Sequence, residues 1–252
     1  MKRHFLIIAI AFIGLTLGSC TININTETVK GDGHIVTREY DINRFDKVVC
    51  ALPATVKFSV ADEYTCNVRV DENLLDYVDI KVEDGEMVLS QPEPKGGNYV
   101  NFNATEFVID ITAPSVDEIT LAGSGDINIL SPLNDQKMEV TIAGSGNVNF
   151  KEDIDVDHLE VSVAGSGDIS IEKGMIRELE ANVAGSGDII SHAEAQEMEA
   201  TVMGSGDITA NVTGKLEYQI IGSGDIYYYG GAVVEGKIAG SGSIKGIEKP
   251  SR

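Results

Sequence analysis

From residue 117 onward, apolar and polar positions alternate on both sides of a recurring Gly-Ser-Gly. The cores read GSGDI at 123, GSGNV at 144, GSGDI at 165, 185, 204 and 222, and GSGSI at 240. Two positions before the first Gly stand Leu121, Ile142, Val163, Val183, Val202, Ile220 and Ile238. Four positions after it stand Ile127, Val148, Ile169, Ile189, Ile208, Ile226 and Ile244. Six before it, apart from Asp117 in the first unit, stand Met138, Leu159, Leu179, Met198, Leu216 and Val234. The residues between, such as Glu139, Thr141, Glu160 and Ser162, are polar. A period of two on each side of the glycines predicts strand, turn, strand in every unit.

Successive cores lie 21, 21, 20, 19, 18 and 18 residues apart. Self-similarity at a period near 20 predicts a solenoid whose units bury their apolar faces against one another. Strands joined by tight corners, with no hairpin return, stack parallel as rungs about 4.8 Å apart; at about 3.3 Å per residue each coil is roughly 60 Å around. Antiparallel pairing remains the alternative. The shrinking interval, with small residues at Ala181, Ser191, Ala200 and Ala210, predicts a coil that tapers. The glycines fit a corner that needs positive φ or tight packing.

The residue after each corner forms a column: Asp126, Asn147, Asp168, Asp188, Asp207, Asp225 and Ser243. Stacked carboxylates repel, so this column must face water, bond backbone amides or hold cations. Calcium needs six to eight oxygens, and the spacing is not that of calcium-binding β-rolls. Solvated or turn-capping side chains are the expectation, with no metal and no cofactor.

Upstream, residues 34 to 121 carry more strand patterns, among them HIVTREY, FDKVVCAL, TVKFSV, TCNVRV and FVIDIT. Glu83-Asp84-Gly85 is a hairpin signal, and residues 92 to 98, PEPKGGN, read as a loop. This half is expected to complete the coil or cap its first end, which would otherwise be an open edge. From Val233 onward the pattern decays, losing side chains at Gly236 and Gly246 and gaining Lys245, Lys249 and Pro250, a composition that discourages further pairing.

The first 20 residues read as an export signal, with Lys2 and Arg3 before the apolar stretch Phe5 to Leu17. Leu17-Gly18-Ser19-Cys20 resembles the lipobox of bacterial lipoproteins, in which the cysteine is acylated; an ordinary cleaved secretory signal is the alternative. The chain then divides into a signal peptide at 1–19, a tether at 20–33, a β domain at 34–247 with its repeats over 123–244, and a tail at 248–252. Lipid on Cys20 would anchor the protein to a membrane, and an outer-membrane lipoprotein of the cell envelope is the expected location.

Loss of Lys2 and Arg3 takes the formal charge from −21 to −23. So acidic a surface repels phosphate backbones, which argues against nucleic acid as a partner. Beyond Cys20 only Cys50 and Cys66 remain. Both alternate with inward positions, and they can be bridged or stand as buried thiols.

The run ENLLDYVDIKVEDGEMVLSQ at 72 to 91, VIDITAPSVDEITLAGSGDINI at 108 to 129 and the serial GSGDI cores resemble the head GIN domain family, named for auto-transporter adhesins and common among Bacteroidetes lipoproteins. The resemblance spans about residues 37 to 245. It implies a right-handed parallel β-helix with rungs of about 20 residues, an adhesin-like role and no catalytic residues to carry over. The segment after Cys20, Thr-Ile-Asn-Ile-Asn, lacks the acidic cluster that resembles a surface-export signal. Periplasmic face and cell surface both stay open.

An enzymatic reading finds little support in the residues. Lys151, Lys173, Arg177 and Lys215 are scattered, no G-x-S-x-G elbow occurs, and His34, His158 and His192 have no spaced partner suggesting zinc. A β-helix enzyme acting on carbohydrate and a structural envelope component are the alternatives to a binding scaffold. Tyr227 and Tyr229 are the candidate contacts to a protein or glycan ligand, because alternation turns them outward from Tyr228.

Overall fold

The computed structural model describes residues 28–93 and 99–249. The export signal, Cys20, tether residues 20–27, loop residues 94–98 and tail residues 250–252 lie outside the described residues. The first strands are β1 (Thr28–Lys30), β2 (Ile35–Tyr40), β3 (Lys47–Cys50), β4 (Thr55–Val60) and β5 (Thr65–Asp71). A short 3-10 helix (Glu72–Tyr77) leads to β6 (Asp79–Glu83), β7 (Glu86–Ser90), β8 (Asn101–Asn103) and β9 (Phe107–Ala113). The repeats supply β10 (Glu118–Leu121), β11 (Asp126–Ile129), β12 (Leu133–Ile142), β13 (Val148–Val163), β14 (Ile169–Gly185) and β15 (Ile189–Gly204). They close with β16 (Ile208–Gly222), β17 (Ile226–Tyr229), β18 (Val233–Gly240) and β19 (Ile244–Gly246).

Every pairing within the repeats is parallel, and equivalent residues of successive units face one another. Leu121, Ile142, Val163, Val183, Val202 and Ile220 form one internal column, each at most 1 % exposed. Ile127, Val148, Ile169, Ile189, Ile208 and Ile226 form another. The parallel β-solenoid expected from the period is the architecture observed, and its driving force is burial of these columns.

The taper has a definite place. Register slips after Phe150, Ile171 and Ser191, on the strand stretch that follows the second apolar column, so successive turns lose a residue there while both strands beside each Gly-Ser-Gly stay aligned. The interior column running Phe58, Ile129, Phe150, Ile171, Ser191, Ala210 narrows with it, until Tyr228, next in register, ends the column. All six side chains from Phe58 to Ala210 are buried.

The upstream half both completes the coil and caps it. β3 lies between β7 and β10, and β4 between β9 and β11, all parallel. The outermost rung is therefore β7 with β9, although β3 and β4 precede them in the chain. Three antiparallel pairings close this end: β6 on β7, β5 on β9, and β2 on β5. The β6–β7 hairpin turns at Asp84 (φ 52°) and Gly85 (φ 83°), two adjacent positive φ values that suit an Asp-Gly turn.

The tether assignment needs correcting at its end. Thr28–Lys30 pairs parallel with Asn101–Asn103, and the buried Asp71 carboxylate accepts the amides of Gly33 and Thr105, each at 2.7 Å. Residues 28 to 33 are thus fastened to the cap. Of the two readings of Cys50 and Cys66, bridge or buried thiols, the structure has the second. They stand as separate buried thiols, on strands that are not neighbours, since β3 pairs with β7 and β10 while β5 pairs with β2 and β9. Burial pushes the Cys50 thiol up to about 11 and that of Cys66 up to about 12. No helix among the described residues is long and apolar enough to cross a membrane.

Candidate functional site

The Gly-Ser-Gly-Asp corners stack into a ridge along the solenoid. At each corner after the first, the amides of Ser and of the second Gly both point back to one carbonyl, that of the first Gly in the preceding rung: Ser205 and Gly206 donate to Gly185 at 2.9 and 3.2 Å. The following amide has no backbone acceptor left, and the side chain of the preceding rung supplies one. Asn147 N–H donates to Asp126 Oδ1 at 3.0 Å, Asp168 to Asn147 at 3.0 Å and Asp188 to Asp168 at 2.8 Å. Asp207 donates to Asp188, Asp225 to Asp207 and Ser243 to Asp225, each at 2.7 Å.

The Asp column is therefore a ladder of charge-assisted bonds between side chain and main chain. Asn147 serves in it because an amide oxygen accepts as a carboxylate does. Ser243 needs no carboxylate, since no described rung follows it. The glycines are required by the same stacking. A Cβ on Gly146 would run into the carbonyl of Gly125, and Gly222 holds φ at 135°, where other residues are strained.

At the sixth corner Asp225 gathers Lys245 Nζ at 2.9 Å, Ser243 Oγ at 2.9 Å and Tyr227 OH at 3.0 Å. Lys245 first, then Ser243 and Tyr227, hold its carboxyl far below the usual range against the opposing effect of burial. Tyr227 is half-buried, with Lys245 Nζ 5.3 Å from its ring centre. The outward reading of Tyr229 is corrected: only 5 % of it is exposed. It sits where the strand gives way to Gly230, and its hydroxyl meets His192 Nδ1 at 2.9 Å. The two tyrosines do not form an exposed pair.

A second column, which alternation alone reads only as outward polar positions, runs along the sheet before the ridge. Glu118, Glu139, Glu160, Glu180, Glu199, Glu217 and Glu235 occupy one register position across seven rungs. The signal is in the sequence, for glutamate stands five residues before every core. Lys47 sits in register with the first of them and reaches Glu118 Oε2 at 2.6 Å. Midway, burial and then the charges of Glu180 and Glu139 push the Glu160 carboxyl up from its ordinary value.

Two residues further along each strand, Thr120, Thr141, Ser162, Asn182, Thr201, Gln219 and Lys237 make a parallel row of hydrogen-bonding groups. A shallow depression lined by Glu199, Thr201, Glu217, Tyr218, Gln219 and Lys237 lies on this face. His158, isolated in the sequence, brings a ring nitrogen within 4.8 Å of carboxylate oxygens of Glu160 and Glu180.

The basic residues are engaged on the surface. Lys151 pairs with Glu172 at 2.8 Å, Lys173 with Glu152 at 3.0 Å and Arg177 with Asp157 at 3.3 Å, while Lys215 pairs with Glu217. Each is spent on a carboxylate nearby.

The family model described as "Putative auto-transporter adhesin, head GIN domain" matches residues 44–232. The crystal structure of a "Putative lipid binding protein" from Parabacteroides distasonis is 30 % identical, covers 88 % of this chain and 100 % of its own, and superposes with a TM-score of 0.76. A "putative adhesin" from Bacteroides fragilis is 23 % identical, covering 87 % of this chain and 100 % of its own with a TM-score of 0.78. Another from Parabacteroides merdae is 22 % identical, with coverage of 88 % and 100 % and a TM-score of 0.71; these two speak for the fold alone. No curated protein matches the sequence.

Proposed function

The chain belongs to the head GIN domain family of putative auto-transporter adhesins, and on that premise we propose that it is a non-enzymatic binding scaffold of the cell envelope, held to the outer membrane by lipid on Cys20. The observation that supports binding is the paired columns, glutamate from 118 to 235 and hydroxyl or amide from 120 to 219. Rungs about 4.8 Å apart make them a flat strip some 30 Å long. A regular strip of acceptors and hydroxyls suits an extended partner rich in hydrogen-bond donors, a glycan or a cationic protein segment.

A purely structural role leaves this strip without a use. A β-helix polysaccharide lyase needs clustered acids with calcium and a basic residue on one face, and the lysines and arginine considered for that role are spent in exposed ion pairs. The Parabacteroides distasonis relative, named for lipid binding, raises lipid as a ligand. In this chain the coil interior is filled by stacked side chains, so a lipid would have to be met on the outside.

The test has two arms. The labelled protein is applied to glycan and host-protein arrays beside a variant carrying Glu139→Gln, Glu160→Gln, Glu180→Gln and Glu199→Gln. Binding that the variant loses supports the strip as the contact surface; binding that survives, or none by either protein, overturns it. Radiolabelled fatty acid incorporated by the native chain and not by Cys20→Ala supports the anchor, and equal labelling of both removes it.

A further inference from the structure

We propose that β18 is the seat of a two-fold dimer, in which two copies of the chain pair their last rungs antiparallel about Gly236. The two ends of the solenoid differ. The first is closed by β2, β5 and β6, whereas β18 pairs with β16 alone among the described strands. Its outer row of backbone donors and acceptors has no partner strand among the described residues. Ile238 continues a column whose earlier members are at most 1 % exposed, yet 42 % of it is exposed. What it lacks is the next rung.

The sequence of the edge says which strand fits. Val233-Val-Glu-Gly-Lys-Ile-Ala239 reads alike from both directions about Gly236: Val234 answers Ile238, Glu235 answers Lys237, and Val233 answers Ala239. Antiparallel pairing about a two-fold axis sets such residues opposite one another. Val234 and Ile238, stacked on the inward Leu216 and Ile220, would then extend the core across the junction. Glu235 and Lys237, on the outer face, would make two reciprocal ion pairs.

The glutamate column supplies an independent argument. At its first end Lys47 stands in register with Glu118 and neutralises it at 2.6 Å. At its last end the nearest cation to Glu235 is Lys215, 3.9 Å away and already paired with Glu217. Lys237 makes no ion pair among the described residues. In the dimer, Lys237 of the second copy takes at Glu235 the place that Lys47 takes at Glu118. Because the opposite end is capped, the association closes at two copies and builds no filament.

The test is sedimentation equilibrium of the full chain in detergent and reducing agent, with circular dichroism to check the fold. Wild type is expected to sediment as two chains. Glu235→Lys sets lysine against lysine at both pairs and should weaken association at least about tenfold. The exchange Glu235→Lys with Lys237→Glu restores opposite charges and should restore the dimer. A wild type that stays a single chain at micromolar concentration would show that the edge lysines keep copies apart and would overturn the proposal. So would a folded Glu235→Lys variant that stays dimeric, or a folded exchange variant that stays monomeric.

Discussion

Asp168 Oδ1 accepts the backbone N–H of Asp188 at 2.8 Å, one full turn of the coil further along the chain. The bond joins the side chain of one rung to the main chain of the next, and it recurs wherever two corners stack. Removing one acceptor strands an amide. Asp188→Ala leaves the Asp207 N–H without its partner and is expected to cost about 1–3 kcal/mol. Asp188→Asn keeps the oxygen, as Asn147 does naturally, and should cost under about 1 kcal/mol. Urea denaturation of the two variants measures the difference.

The glycine corners separate two kinds of strain. Gly206→Ala would drive a Cβ into the carbonyl of Gly187, with main chain on both sides of the collision. Gly231→Ala meets no atom within 4 Å but keeps φ at 90°. The first substitution should cost more than about 3 kcal/mol, the second about 1–2 kcal/mol. Thermal melts of both rank them.

Two carboxylates should respond to acid in opposite senses. Burial raises the Asp71 carboxyl, but the amides of Thr105 and Gly33, with further bonds from the Thr105 hydroxyl and the Glu106 amide, outweigh it and leave the group below its ordinary value. Its stabilising contribution is present above the unfolded-state value and is lost as pH falls through the folded one. Glu160 is raised, so its charge opposes folding at neutral pH and the opposition fades as pH falls through its folded value. Asp71→Asn should therefore destabilise at pH 7 and flatten the acid limb, while Glu160→Gln should stabilise at pH 7 and lose that advantage near pH 4. Denaturant midpoints from pH 3 to 8 decide both.

Cys50 and Cys66 should behave as inert thiols. With their acidities pushed to about 11 and about 12 and neither side chain exposed, thiolate is scarce at pH 8 and access is blocked. Ellman's reagent should find neither in the folded protein and both in guanidinium, and reducing agent should leave the melting temperature unchanged.

Period and alternation carried the solenoid because every internal column is written several times over, as Leu159, Leu179 and Leu216 show. The cap was less legible. Nothing in β3 or β4 says that β7 and β9, which follow them, will lie outside them, because a single strand does not announce its neighbour. The glutamate column was readable at a fixed offset, yet its meaning depends on register, which sets Lys47 at one end. Tyr229 misled for a physical reason: alternation gives the side of the strand a residue faces, not whether a neighbour such as His192 then covers it.

The interleaving of β3 and β4 between two later rungs also allows a simple order of assembly. The closed end needs nothing beyond Ile129, so a chain emerging amino end first can complete its own template early. Each later turn is then laid on a surface already ordered, through contacts that reach back only 18 to 21 residues and keep the search for partners short. Throughout that growth the unsatisfied edge is never more than one turn of the coil.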